Sequence, residues 1–299
     1  MLKKLEIPFH SVNFSHEYWD SVFEHFLAEY RAGRTPNPDI LCNREIKFKA
    51  FLNYAQQLGA DCIATGHYVQ TTLTEMGYEM KKAADLNKDQ SYFLYTLGQP
   101  ALTKSLFPIG HLDKTSVREM AKSAEFPNFQ KKDSTGICFI GERKFKNFLN
   151  QFIPAQPGPI VTPEGKNLGQ HDGLMFYTLG QRQGIGIGGQ TAFENAPWYV
   201  VAKDLERNVL VVAQGEHSLL YTTSLKANDL HWILGHPPKE WFNCTAKIRY
   251  RQTETPCTVE LTDKDQCSVR FKYPQRAITP GQSVVFYQDN ICLGGGIIH

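Results

Sequence analysis

From Ile153 to Gly169 the chain reads IPAQPGPIVTPEGKNLG, with four prolines and three glycines. Proline lacks a backbone N–H and has a fixed φ, so a stretch this rich in proline and glycine reads as a boundary between domains. A length of 299 residues suits two or three domains. Residues 1–147 alternate helical and extended patterns, 148–215 hold short strands and turns, and 216–299 read as all-β.

In the first part, IPFHSVNF reads as a strand already in progress. Trp19, Val22, Phe23, Phe26, Leu27 and Tyr30 follow at helical spacing, closed by Gly33. After the Pro36–Pro38 loop, Phe48, Phe51, Leu52, Ala55 and Leu58 mark one face of a second helix, which leads into the apolar run CIATGHYV. That order is βαβ-like and predicts an α/β domain with a parallel sheet, whose ligands sit past the carboxyl ends of the strands. TGHY, Thr65 to Tyr68, is at such an end. In the last part CTAKIRYRQ, CTVEL, CSVRFKY and SVVFYQ alternate between turn residues, which predicts a small barrel or sandwich.

A net charge of +2 is too mild to point to nucleic acid by itself, so any basic surface must be local. Seven cysteines at 42, 62, 138, 244, 257, 267 and 292 form no C-x-x-C pair, which argues against a disulfide scaffold or a zinc site and for reduced thiols in the cytoplasm. The ten histidines show no metal-ligand spacing, so no metal site is expected. No signal peptide pattern and no run of about eighteen apolar residues is present, so no membrane span is expected.

Cys42 lies in NPDILCNREIKF. Asn37-Pro38-Asp39 reads as a turn feeding a helix, which places Cys42 near a helix N-terminus where the macrodipole favours a thiolate. Asp39 opposes that effect when ionised, or exchanges a proton with the thiol. The plainer reading is a capping Asp and a semi-buried structural Cys. Cys138 sits in KKDSTGICFIGERKF among Lys131, Lys132, Lys144 and Lys146, whose charge would activate a thiol; GICFI is equally a buried strand. Together the two suggest a sulfur carrier and its resolving partner. Cys62 is explained by an apolar strand, and Cys244, Cys257, Cys267 and Cys292 by the β core. KIRYRQ as a strand puts Lys247, Arg249 and Arg251 on one face, and SVRFKY repeats this with Arg270 and Lys272; such faces either track phosphates or are simply solvated. GIGIGG, from Gly184 to Gly189, lacks a βαβ setting and reads as a loop. Lys88, Asp89 and Gln90 stand at a helix start that Asp89 would cap.

As a set, GRTPNPDILCNREIKF, ATGHY, KDQSYFLY, DSTGICFIGERKF, YTLGQRQGIGIGG, RYRQ, TPGQSVVFY and CLGGGII resemble the tRNA-specific 2-thiouridylases, in that family's order along nearly the whole chain. The resemblance implies an adenine nucleotide alpha hydrolase-like (ATP pyrophosphatase-like) catalytic domain, a small mixed central domain and a C-terminal β-barrel. It implies that ATP, with Mg2+, adenylates the C2 oxygen of the wobble uridine of the tRNAs for Lys, Glu and Gln, and that a cysteine persulfide then delivers sulfur. By motif Cys138 resembles the persulfide carrier. Cys42 resembles the nucleophile that attacks either that persulfide, forming a transient Cys42–Cys138 disulfide, or the base. Asp39 resembles the acid/base partner. Gly66 would touch ATP. Asn37, Pro38, Asp39, His67, Lys88, Asp89, Gln90, Arg249, Tyr250 and Gln282 would touch tRNA. A sulfur donor protein, either a desulfurase or a relay, would load the persulfide.

The family's S-G-G-x-D-S pyrophosphate loop has no counterpart in the sequence, which begins at about the family's third strand. The expectation is a domain truncated at its N-terminus, with an exposed sheet edge, that cannot adenylate tRNA efficiently. The alternatives are a non-catalytic tRNA-binding remnant and a thiol redox protein using Cys42 and Cys138.

Overall fold

The computed structural model describes residues 2–131, 145–188 and 196–299. Two long helices open the fold. The first, α1 (15–31), buries Tyr18, Val22, Phe23, Phe26, Leu27 and Tyr30, while Trp19 stays 44% exposed on its flank. Gly33, at φ +73°, ends it, and the Gly33 N–H donates to Tyr30 O at 3.0 Å. The second, α2 (38–57), starts on Asn37, whose Oδ1 accepts from the Asp39 N–H at 3.2 Å, with Pro38 at the first helical position. From Cys42 to Ala50 it is wound as π-helix. It buries Ile40, Cys42, Ile46, Phe48 and Leu52; Phe51 and Leu58 of the expected face are exposed.

The predicted strand IPFHSVNF is not formed. Residues 7–14 carry no ladder, and Phe9 is 72% exposed. Alternation makes a segment competent for a sheet, but a strand exists only beside a partner. The parallel sheet is the pair β1 (Ile63–Ala64) and β4 (Ser105–Leu106), in register Ile63↔Ser105. Cys62, expected inside an apolar strand, lies just before β1 and is exposed.

CIATGHYV is also divided. After β1 the chain turns at Gly66–His67, and Val69 begins a hairpin, β2 (Val69–Thr74) and β3 (Gly77–Lys82). The hairpin joins the C-terminal sheet, β3 pairing with the later β14 at Lys81↔Ile291 and Met80↔Cys292. The middle part is a four-stranded sheet in the order β6-β5-β8-β7, from β5 (Gly158–Val161), β6 (Asn167–His171), β7 (Trp198–Asp204) and β8 (Val209–Gln214). Ile160, Val200, Leu210 and Val212 form its core. The glycine-rich stretch is a loop through Gly188, without a following helix among the described residues.

The C-terminal part is a closed barrel in which β13 (Ser283–Gln288) pairs with both β10 (Trp241–Lys247) and β14 (Ile291–Ile298), and β11 (Thr255–Asp263), β12 (Gln266–Arg276) and β9 (Tyr221–Trp232) complete the ring. Closure removes the free edges. Trp232, Phe242 and Phe286 meet in its core, Trp232 and Phe286 stacked at 5.8 Å. Cys244, Cys257, Cys267 and Cys292 sit in its strands as expected. KIRYRQ is corrected. The strand ends at Lys247, and Ile248–Arg251 make a turn held by Gln252, whose Oε1 accepts from the Ile248 N–H at 3.1 Å. Alternation fails there because Arg249 turns inward to donate from Nη2 to Ala277 O at 2.7 Å.

The first part and the barrel share one core. Tyr92 Oη donates to Ser283 O at 3.0 Å, and Tyr95, Leu97, Val285, Tyr287 and Cys292 pack together. Phe286→Ala should therefore cost about 3–5 kcal/mol and lower the urea midpoint reported by the near-ultraviolet signal of Trp232 and Phe242, with little change in helix content.

Candidate active site

The loop between the two helices is held from three sides. Within the first part, Arg34 forks onto Glu29 at 2.7 and 2.5 Å, and the guanidinium holds that carboxyl well below the usual carboxylate range despite its burial. From the barrel, Pro280 O accepts from the Thr35 N–H at 3.0 Å, and Gln282 Nε2 donates to Thr35 O at 2.6 Å. From the connection between β6 and β7 of the middle part, the Thr178 hydroxyl lies 3.3 Å from that of Thr35. Gly281, at φ +88°, permits this approach, since a Cβ there would stand 2.9 Å from Thr35 N. The Asn37 cap, Asp39 and Cys42 follow directly.

Cys42 is fully buried among Tyr18, Val22, Phe23, Ile46, Phe148 and Met175. It lies in the second turn of α2, and its N–H is taken up by the carbonyls of Pro38 and Asp39, so the unpaired N–H groups expected to favour a thiolate do not face it. Asp39 lies one turn earlier, half-buried. Its Oδ1 is buried and has no hydrogen-bond partner among the described residues. A buried carboxylate oxygen without a donor is costly, and it marks a place where a ligand donor fits. Cys138 lies outside the described residues.

Past the carboxyl end of β1, Gly66 is exposed, and a Cβ there would meet only Ile109, at 4.0 Å. His67 Nδ1 is 2.9 Å from Thr65 Oγ1, and its ring lies 5.5 Å from that of Phe48. Burial, and then the charge of Lys47, push His67 down to about 4. Gln90 bonds Tyr68 both ways. Its Oε1 accepts from the Tyr68 N–H and its own N–H donates to Tyr68 O, each at 2.9 Å. Asp89 is buried and accepts from Ser91 N–H and Oγ and from the Ala83 N–H; the N-cap of Ser91–Leu94 is Gln90, so Asp89 sits one residue ahead of the expected capping position and joins the helix start to Ala83.

Lys88, Asp89 and Tyr250 line a cleft of about 710 Å³ between the first part and the barrel. Its floor holds Lys82, Lys247, Asp89 and Glu254. Lys82 pairs with Glu254 at 2.5 Å, and Lys247 reaches Asp89 at 3.6 Å and Glu254 at 3.7 Å. Tyr250 packs on Phe93, with centroids 4.4 Å apart. The structure thus places two groups of expected residues. One is the α2 start with Gln282, and the other is the cleft with Lys88, Asp89 and Tyr250. Gly66 and His67 lie at the β1 end, where the His67 ring faces Phe48 of α2 and Tyr68 bonds Gln90.

Sequence reasoning missed Glu29, Arg34, Thr35, Thr178 and the Lys82–Glu254 pair. GRTPNPD and TPGQ were both conspicuous, but nothing local signals that Thr35 and Gln282 meet across 247 residues.

Three family models match the chain: a tRNA methyl transferase HUP domain over residues 1–142, a tRNA methyl transferase PRC-barrel domain over 146–214, and an aminomethyltransferase beta-barrel domain over 222–298. The tRNA-specific 2-thiouridylase MnmA of Proteus mirabilis (strain HI4320) is 58% identical over 297 residues, 99% of this chain and 81% of that protein. The chain belongs to the tRNA-specific 2-thiouridylase family. The 2-thiouridylase MnmA of Methylococcus capsulatus (strain ATCC 33009 / NCIMB 11132 / Bath) is 60% identical over 299 residues, 99% of this chain and 81% of that protein. That of Francisella tularensis subsp. novicida (strain U112) is 59% identical over 294 residues, 98% and 82% respectively. The α/β, central and barrel parts are those of this family's fold.

Two outcomes follow for this 2-thiouridylase chain. Iodoacetamide should alkylate exposed Cys62 at least about tenfold faster than enclosed Cys42, and Phe148→Ala should narrow the gap by opening the cluster; peptide mass spectrometry reads both, and equal rates in the wild type would refute the enclosure. For His67, the unfolded chain takes up a proton near pH 6.5 and the folded chain only near 4. Stability should therefore fall as pH drops through that window, on the order of 3 kcal/mol. His67→Gln should flatten the acid limb of the urea midpoint against pH, with His171 and His231, also shifted down by burial, supplying what slope remains.

Proposed function

We propose that the protein is a tRNA-uridine 2-sulfurtransferase that thiolates C2 of the wobble uridine in the tRNAs for Lys, Glu and Gln. The observation that carries the site is Asp39 Oδ1, buried and without a donor, one helical turn ahead of enclosed Cys42. The family models are described by methyl transfer. Sulfur transfer is supported by 58–60% identity to proteins named 2-thiouridylases over nearly the whole chain.

In this reading the division at 147 and 215 separates a catalytic part, a central part and an RNA-holding barrel. Asn37, Pro38 and Asp39 receive the flipped-out uridine. Asp39 Oδ1 accepts its hydrogen bond and exchanges the proton. Gly66, exposed past the carboxyl end of β1, offers its backbone to an adenine nucleotide. ATP, with Mg2+, would activate the C2 oxygen as an adenylate with release of pyrophosphate, and AMP would leave as sulfur takes its place. The Cys42 thiolate attacks the Cys138 sulfur that carries the persulfide. A Cys42–Cys138 disulfide forms and hydrosulfide leaves toward C2, after which an external dithiol restores both thiols. Alternatively, Cys42 attacks the base. His67, Lys88, Asp89, Gln90, Arg249, Tyr250 and Gln282 hold the tRNA, and a cytoplasmic sulfur donor protein loads Cys138. Gln282 already spends its amide on Thr35, and Asp89 its carboxylate on Ser91 and Ala83, so both act on RNA by positioning backbone as much as by contact.

Burial of Cys42 makes the described state a closed one, so attack at sulfur requires that the Phe23–Phe148 cluster open. Cys42→Ser and Cys138→Ser should each abolish 2-thiouridine, measured by mass spectrometry of digested tRNA, while leaving tRNA affinity within about twofold. Asp39→Asn should slow thiolation by about 10²–10⁴-fold. Wild-type thiolation by either cysteine variant would falsify the assignment.

A further inference from the structure

Arg276 ends β12, where the barrel meets the middle sheet. Its guanidinium lies over the Tyr199 ring at 4.6 Å, and its Nε is 3.4 Å from Glu216 Oε2. That carboxylate is mostly exposed and also accepts from Tyr221 Oη. Arg249 comes from the turn after β10. Its Nη2 donates to Ala277 O, and no carboxylate of the described residues is within ion-pair distance of it.

The two guanidiniums converge on Gly180. A Cβ there would stand 3.3 Å from Arg276 Nη1 and 3.7 Å from Arg249 Nη2. Gly180 has φ +78°, and its N–H donates to Val200 O at 2.8 Å, so the middle sheet holds the bare glycine against the pair. Burial, and after it the charge of Arg276, lower the pKa of Arg249. Two like charges brought together with one exposed counter-ion are unfavourable without an anion between them. Paired planar forks suit a phosphate oxygen pair better than any other common anion of an RNA-acting protein.

We propose that Arg249 and Arg276, backed by Gly180, form a phosphate clamp that takes one phosphodiester of the tRNA backbone; this rests on the sulfurtransferase reading above and adds Arg276 and Gly180 to its RNA contacts. The position gives the clamp its use. Ala277 O, which holds Arg249, also accepts from Thr279 Oγ1 at 2.9 Å, and the same turn continues through Pro280 and Gln282 to Thr35. A phosphate in the clamp is thereby set at a fixed distance from Asp39 and Cys42, and the wobble nucleotide is set with it. Phosphate contacts of this kind fix register and carry no sequence information.

The test is tRNA binding by fluorescence anisotropy across a salt series, with wild type, Arg276→Ala, Arg276→Lys and Glu216→Gln, each checked for an unchanged Tm. Arg276→Ala should weaken binding about tenfold and reduce the slope of log K against log salt by about 0.7–0.9, one phosphate contact. Arg276→Lys should recover the slope and only part of the affinity, since a point charge replaces a fork. Glu216→Gln, which removes only the counter-ion, should bind as tightly as wild type or tighter. An unchanged slope in Arg276→Ala overturns the clamp, as does weakening by Glu216→Gln equal to that of Arg276→Ala. A loss in Arg276→Ala confined to ATP affinity, with tRNA affinity intact, would assign the pair to the nucleotide's phosphates and overturn it too. Wild-type protein without salt-dependent tRNA binding would instead remove the sulfurtransferase reading itself.

Discussion

The backbone of Thr35 is where the three parts of this molecule are joined. Its N–H and C=O are both bonded by the barrel turn at Pro280 and Gln282, and its hydroxyl faces Thr178 of the middle part. A loop between two helices would otherwise be among the more mobile segments of a domain. Here its backbone is held by one backbone bond from Pro280 and one from the Gln282 side-chain amide, and the Arg34–Glu29 fork secures its first half. Asn37, Asp39 and Cys42 take their positions from that lock. Gly281 is necessary to it for a plain steric reason, because any Cβ would press on the Thr35 backbone.

The site so held is closed and incompletely satisfied. Cys42 has no exposed surface, while Asp39 keeps one buried oxygen without a donor among the described residues. The first condition protects a thiol from adventitious oxidation. The second leaves a polar deficit that a ligand donor would relieve, one helical turn from the enclosed thiol. The cleft lined by Lys88, Asp89 and Tyr250 shows the opposite arrangement, with two cations and two anions already balanced on its floor. Lys88 and Arg251 add positive charge to its walls, and Arg249 and Arg276 carry further positive charge, with exposed Glu216 beside Arg276.

Much of the architecture was legible because it rests on local periodicity. The apolar spacing from Tyr18 to Tyr30, the Gly33 stop, the Asn37-Pro38 start and the alternating barrel strands each require only neighbours in sequence. The failures share one cause. IPFHSVNF alternates without a strand beside it, CIATGHYV is divided between two sheets, and KIRYRQ bends where Arg249 finds Ala277 O. In each case the deciding partner lies far along the chain. The β2–β3 hairpin is the clearest instance, since it precedes the barrel by well over a hundred residues yet extends it through Met80 and Cys292.

The sequence by itself determined which chemistry the chain carries and its family. Spacing alone left Cys42 and Cys138 open to a structural reading; the ordered set of motifs pointed to the family, and 58–60% identity along nearly the whole chain shows it. It also determined the helices and the barrel strands, because their hydrophobic periods are written residue by residue. Only the tertiary structure decided that Cys42 is enclosed, that Asp39 Oδ1 has no donor among the described residues, that Gln282 grips Thr35 and that Arg276 joins Arg249. Burial, satisfaction and like-charge proximity are properties of pairs distant in sequence, and they come into existence only when folding brings the two members together.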